Sequence, residues 1–218
     1  MLFPTLCADN FFTNPDKVLS IAKNCPMKET SYRPGTRSPC LSTIDHEFYQ
    51  YVNTKIIRML YPTETNFGYN AFTHFQSTYP DDKVLDGWVH TDSDFMLTAI
   101  VYLNHCRSGT SIFTKKNDFD LPNQAGTPKH NYFANHKNVS PEQYEEVKQI
   151  REQVNSQFEE AISIKGKFNR VLCFDGSSYH TVHPEPCEEE RLILISFFTD
   201  IRMHGERTKY PLIEMNSL

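Results

Sequence analysis

The chain reads as a mainly β protein with flanking helices, a barrel or sandwich of short antiparallel strands with helices packed on its outside. Three observations carry this expectation. Helical periodicity fills much of the first sixty residues and then stops. At Phe67 the apolar period changes from 3.6 to 2. Beyond that point short strand-like runs separated by turns dominate, interrupted by one helical stretch that starts near residue 140.

Taken in order, Asn14 is placed to cap a first helix with Pro15 in its first turn, and Val18, Leu19 and Ala22 share one face. Residues 24–40 hold three prolines and a glycine and are expected to be irregular. A second amphipathic helix is expected over residues 45–60, with Phe48, Val52, Ile56 and Met59 at helical spacing, ended by Pro62. In the strand that follows, Phe67, Tyr69, Ala71, Thr73 and Phe75 alternate with Gly68, Asn70, Phe72, His74 and Gln76. Next comes the stretch Trp88–Asn104, in which Phe95, Leu97, Ala99, Val101 and Leu103 form one face. Met96, Thr98, Ile100, Tyr102 and Asn104 form the other, a mixture of hydroxyl and apolar groups that suits a pocket wall. The chain then turns through Gly109 into a short strand around Ile112. Residues 115–138 read as a long loop. Ser140 and Gln143 form a capping-box start to a helix whose apolar positions run Tyr144, Val147, Ile150, Val154, Phe158 and Ala161. Strands return from Phe168 to Phe174, around His180 and from Arg191 to Thr199, and the chain from about Arg202 reads as a tail.

The expected organisation is therefore residues 1–66 as helical support, 67–200 as a β core carrying a loop-helix insertion at 114–166 that would act as a lid, and 201–218 as a tail. At 218 residues this amounts to one domain. The composition, 39% hydrophobic with charge spread evenly, is that of a globular protein. With a net charge of −5 and no long basic cluster, no nucleic-acid partner is expected. No apolar run is long enough to span a bilayer and no signal peptide is evident, so no membrane partner is expected. The six cysteines are scattered without a C-x-x-C pair and read as mostly reduced thiols of a cytoplasmic protein.

The chemistry is carried by the only His-x-Asp triplet in the chain, His90-Thr91-Asp92, placed between a loop and a strand. Alternation along a strand aims side chains two residues apart to the same side, so both can reach one ion. A third donor is offered by His180, after a Gly-Ser-Ser turn. Two imidazoles and one carboxylate make the facial triad suited to non-haem Fe(II), leaving three positions open. Alternatives stay open: His90 and Asp92 as a surface pair at a strand edge, His183 in place of His180, and His74 as a pocket or core residue. Arg191 opens an otherwise apolar strand and reads either as an anion site or as a partner of Glu188, Glu189 or Glu190. Tyr102 reads as a hydroxyl donor to the same anion or as an ordinary core tyrosine.

The order of His-x-Asp, a strand ending Tyr102-Leu103-Asn104, a Gly109 turn, and a late His180-x-Val182-x-Pro184 followed by Arg191 on an apolar strand resembles the prolyl-hydroxylase-like branch of the Fe(II)/2-oxoglutarate-dependent dioxygenases. It is similar above all to the short stand-alone members of bacteria and their viruses, over residues 67–200. The resemblance implies a double-stranded β-helix, or jelly-roll, core with iron held by His90, Asp92 and His180. It implies Arg191 and Tyr102 on the distal carboxylate of 2-oxoglutarate, and ascorbate as an auxiliary reductant. The reaction it implies consumes 2-oxoglutarate and O2, releases succinate and CO2, and hydroxylates an unactivated C–H bond. The substrate would be peptidyl (a prolyl residue included) or a small amino-acid-like molecule, in the cytoplasm of the cell or, for a virus-encoded chain, of its host. Two departures accompany the resemblance: Arg191 lies eleven residues after His180, and Ser108-Gly109-Thr110 stands where paired glycines are common. The other reading is a catalytically silent metal- or carboxylate-binding module of the same fold.

Overall fold

The structure, a computed structural model, describes residues 3–29, 35–79, 87–92, 94–117, 140–182, 189–203 and 206–207. Among these, eleven strands build two facing sheets. The larger sheet runs in the order β1 (Leu6–Ala8), β8 (Val171–Asp175), β5 (Leu97–Tyr102), β10 (Arg191–Met203), β4 (Phe67–Thr78), β3 (Thr36–Arg37), β2 (Lys28–Glu29), with β11 (Glu206–Arg207) folded back onto β10. The smaller sheet runs β7 (Phe158–Ile164), β6 (Thr110–Lys115), β9 (Tyr179–Val182), and an antiparallel bridge joins His180 of β9 to His90. All pairings are antiparallel, and the chain passes back and forth between the sheets from β5 onward. This is a double-stranded β-helix.

Alternation gives the large sheet two faces with different partners. Leu97, Ala99, Val101 and Leu103, with Val171, Cys173, Leu192, Leu194 and Phe75, face outward and are buried under the helices. Ile100 and Tyr102, with Leu172, Phe174, Ile193, Ile195 and Phe197, face the small sheet and line the interior. The expected alternation holds from Leu97 onward but slips one residue before it. Phe95 packs inward and Met96 outward. The reason is a turn, in which the Phe95 amide donates to the Asp92 carbonyl at 2.8 Å, so the pleat starts only after it.

The helices form where capping and periodicity place them. Asn14 accepts from the Lys17 amide (3.2 Å) at the start of α1 (Pro15–Asn24), which buries Val18 and Ala22. Asp45 accepts from the Phe48 amide (2.9 Å) to cap α3 (His46–Leu60), preceded by the short α2 (Leu41–Ile44). The face of α3 on the sheet includes Tyr49, Val52, Ile56 and Ile57. It also buries Asn53, whose amide exchanges hydrogen bonds with the Thr73 hydroxyl and donates to the Tyr49 carbonyl; Ser196 adds a bond to Thr73. A polar residue is tolerated there because each of these groups has a partner.

Three expectations need correction. The helix opened by the Ser140–Gln143 capping box, α4, ends at Asn155, and Phe158 and Ala161 lie on β7. Phe158 and Ile164 are buried there, because pairing with β6 offers a covered apolar surface that a continued helix would lack. Strand β10 runs on to Met203, with Ile201 and Met203 buried, in place of a tail from Arg202. Within residues 24–40, short strands at 28–29 and 36–37 extend the large sheet beyond β4. The long loop before α4 lies mainly at 118–139, outside the described residues, as does His183. Cys106 is disulfide-bonded, whereas Cys7, Cys25, Cys40 and Cys173 are free thiols. No helix among the described residues is long and apolar enough to cross a membrane.

Candidate metal centre

His90 and His180 are brought together by backbone pairing. Each amide donates to the other's carbonyl, at 3.0 and 2.8 Å, so the two side chains leave the same side of the ribbon. Their rings lie 4.4 Å apart between centroids. The segment carrying His90 is held from outside as well. The Val89 amide donates to Asn155 Oδ1 at the end of α4 (3.0 Å), and Asn155 Nδ2 donates to the Gly87 carbonyl.

Asp92 is held at the close approach of two turns. Its amide donates to the Gly176 carbonyl at 2.7 Å. A side chain at Gly176 would place its Cβ 2.0 Å from the Phe95 carbonyl oxygen and 2.8 Å from that of Asp92, so only glycine lets the β8–β9 turn sit there. The Asp92 carboxylate accepts from the Thr98 hydroxyl at Oδ2 (2.8 Å), and the same oxygen lies 3.4 Å from His180 Nε2. Nitrogen and oxygen donors of His90, Asp92 and His180 all lie within 4.8 Å of one another, the one such group among the described residues. His74 is elsewhere, with its Nδ1 at 2.9 Å from the Ser38 carbonyl.

The imidazole tautomers follow from their partners. His90 Nδ1 is 2.8 Å from the Trp88 carbonyl and His180 Nδ1 is 2.9 Å from the Ser178 carbonyl. A carbonyl oxygen only accepts, so each Nδ1 carries the hydrogen and each Nε2 keeps its lone pair. Backbone carbonyls of this kind orient ligating histidines.

Further along the same inner face lies the second expected group. Arg191 opens β10, is only 6% exposed, and donates from Nε to the Ser108 carbonyl at 3.1 Å. Its guanidinium sits 5.5 Å from the centroid of the Tyr102 ring, and the Tyr102 hydroxyl is 2.9 Å from Thr110 Oγ1. Burial pushes the Tyr102 phenol upward, against the opposing pull of the Arg191 charge and the hydrogen bonds of Thr110 and Arg191. The phenol therefore stays protonated as a donor. Thr98 beside Asp92 and Tyr102 beside Arg191 are four residues apart on β5, roughly 13 Å of strand. No ion pair of Arg191 with Glu189 or Glu190 occurs among those of the described residues, and Glu188 lies outside them.

Thr98 was legible as pocket-facing, but its bond to Asp92 was not. Gly176 was legible only as a turn. Asn155 and a second inward arginine, Arg37, carry no sequence signal that marks them, because their partners lie dozens of residues away.

The chain belongs to the family of unknown function DUF6445, whose model matches residues 3–186. No curated protein matches the chain in sequence. Solved structures do match in shape. The epimerase SnoN, in complex with Fe3+, alpha ketoglutarate and nogalamycin RO, is 9% identical with a TM-score of 0.54, covering 91% of this chain and 80% of that one. HygX from Streptomyces hygroscopicus, with nickel, 2-oxoglutarate and hygromycin B bound, is 12% identical with a TM-score of 0.52, covering 89% and 82%. The carbocyclase SnoK from nogalamycin biosynthesis, described as non-heme and alpha ketoglutarate dependent, is 9% identical with a TM-score of 0.51, covering 93% and 82%. At such identities the likeness is one of fold: this chain shares its double-stranded β-helix with these proteins.

Proposed function

We propose that this member of a family of unknown function is an Fe(II)- and 2-oxoglutarate-dependent oxygenase, a hydroxylase acting on a peptidyl or amino-acid-like substrate. One observation carries the reading: two imidazoles with Nδ1 committed to carbonyls and one carboxylate converge within 4.8 Å. The donor set fits iron, since two neutral nitrogens and one carboxylate on one face suit Fe(II) and leave positions for a chelating keto acid and for O2. His90, Asp92 and His180 would be the ligands. When bound, iron with 2-oxoglutarate and O2 supplies the oxidising power that attacks an unactivated C–H bond, with succinate and CO2 released.

The chain's own groups bind, orient and exclude water. Arg191 would take the distal carboxylate of 2-oxoglutarate as a charge-assisted pair, strong because it is shielded from solvent, with Tyr102 donating alongside. Thr98 donates to the Asp92 oxygen that faces His180 and so orients the carboxylate toward the other two donors. The apolar floor of Ile100, Ile193, Ile195 and Phe197 keeps the site dry, which restrains side reactions. A reductant such as ascorbate and a cytoplasmic setting accompany this reading.

The test is anaerobic titration of the Fe(II)-loaded protein with 2-oxoglutarate, followed at the weak visible charge-transfer band expected near ~500 nm for keto-acid chelation to an open iron face. A band that disappears in Asp92→Ala supports the oxygenase. Iron binding without the band would overturn the cosubstrate and leave a silent metal-binding module. Failure to bind iron would overturn the centre itself.

A further inference from the structure

A second arginine is buried on the inner face, and the oxygenase reading gives it no task. Arg37, on β3, is 8% exposed and lies opposite Gln76 in the register of β3 and β4. Gln76 in turn lies opposite Ile193, and Ile193 opposite Tyr102, so all four belong to one cross-strand row facing the interior. Gln76 Oε1 accepts from Arg37 Nε (3.1 Å) and also from Nη2. One neutral oxygen thereby occupies the side edge of the guanidinium. The guanidinium carbon is 5.5 Å from the centroid of the Phe197 ring. Nη1 is buried and has no hydrogen-bond partner among the described residues, and none of their ion pairs involves Arg37.

A guanidinium has a second edge, made by Nη1 and the remaining Nη2 hydrogen, whose spacing matches a carboxylate. Gln76 on one edge and Phe197 beside the guanidinium hold the group, and the Nη1 end is buried without a partner among the described residues. Burying a cation against an amide and a ring, without an anion, is costly, and the cost is relieved when an anion arrives. The location points to the primary substrate and not to the cosubstrate. Phe197 lies six residues beyond Arg191 on β10, roughly 20 Å of strand. It lies opposite Thr98, the residue bonded to Asp92, and its ring is 4.7 Å from that of Phe95. Arg37 therefore starts in the row of Tyr102 but lays its guanidinium against Phe197, the residue opposite Thr98, beside an aromatic rim to which the half-exposed Phe72 also belongs through Phe95.

We propose that Arg37 anchors a carboxylate of the primary substrate. Resting on the oxygenase reading, this makes the substrate a small carboxylic acid of amino-acid type, held by its carboxylate while a C–H bond on its chain faces the metal. An internal prolyl residue has no such group, so the prolyl alternative gives way.

The experiment uses the full chain, with arginine labelled by nitrogen-15, loaded with Zn(II) and saturated with 2-oxoglutarate. Propionate serves as the minimal carboxylate probe. The guanidinium Nε–H signals of Arg37 and Arg191 are assigned by their loss in Arg37→Lys and Arg191→Lys. The expected result is a saturable shift of the Arg37 signal with propionate while that of Arg191, already moved by 2-oxoglutarate, stays in place. Arg37→Lys should weaken propionate binding about 10–100-fold, the worth of a bidentate charged contact. An unmoved Arg37 signal would overturn the proposal, as would a response at Arg191 alone. Tighter binding of inorganic phosphate than of propionate at Arg37 would overturn the carboxylate assignment. If 2-oxoglutarate fails to move Arg191, the oxygenase reading falls by itself. The propionate response of Arg37, read also in metal-free protein, then decides the anion site separately.

Discussion

The two faces of the large sheet are made by the same strands, yet they are finished differently. On the outer face Leu97, Ala99, Val101 and Phe75 meet the helices, and the polar residues buried there, Asn53, Thr73 and Ser196, bond to one another. On the inner face β5, β8 and β10 contribute apolar residues, but two arginines are buried without a carboxylate partner among the described ion pairs, beside three clustered metal-type donors. A closed face stabilises the fold. An inner face that gathers charge and leaves it uncompensated is built to be completed by ligands.

The sharpest way to break this contrast is to remove one donor of the centre. His180→Ala should abolish Co(II) or Fe(II) binding, a larger loss than the roughly 10–100-fold that accompanies removal of a supporting group. Its metal-free melting temperature should stay close to that of the unaltered protein. Visible Co(II) spectroscopy and thermal melts read the two quantities. If His183→Ala lost more metal affinity than His180→Ala, the ligand set would be wrong.

The outer face should answer in the opposite way. Ile56 is fully buried under the sheet, and Ile56→Ala should cost about 2–5 kcal/mol in urea unfolding. The fraction that remains folded should bind metal and 2-oxoglutarate normally. A matching fall in metal affinity would show that the two faces are mechanically coupled and not separable.

Within the inner face, Arg191→Ala should weaken 2-oxoglutarate about 10–100-fold while metal affinity is retained, as the loss of one charged contact predicts. Calorimetric titration of each ligand separates the two. Unchanged 2-oxoglutarate affinity would remove Arg191 from that pocket.

The same division explains which features are legible in the sequence. Alternation places Thr98, Ile100 and Tyr102 on one side of β5 because the period of a strand is local. Asn14, Asp45 and Ser140 announce their helices because caps are local too. The His-x-Asp spacing points to two donors, but their proximity to His180 depends on a bridge between residues far apart in the chain, which no local pattern encodes. Phe158 and Ala161 continue the helical period by spacing alone, while strand pairing with β6 claims them. Arg37 lies in a two-residue strand too short to show a period, and its burial comes from β4, 39 residues away at Gln76. Local chemistry is legible; the closing of the interior around it is not.

The smallest expected effect belongs to neither face. At the edge where β1 meets β8, Asp9 accepts from Lys167 (2.7 Å) and from Arg170 Nε (2.7 Å) and Nη2 (3.2 Å). The hydrogen bond from Arg170, then that from Lys167, holds the Asp9 carboxyl down from the ordinary 3.8 to about 2. Because the folded value is the lower one, the folded chain binds this proton less readily than the unfolded chain. The contribution is therefore complete above about pH 4, and it fades as the pH falls through the interval down to about 2. Asp9→Asn should lower the melting temperature slightly at neutral pH, and the gap between the two proteins should close on acidification across that window. Since Asp9 and its partners are partly exposed, salt should narrow the gap as well. Metal and 2-oxoglutarate affinities should not change. A gap that persisted below pH 2, or one that opened on acidification, would mean that Asp9 acts through packing of the strand edge and not through its charge.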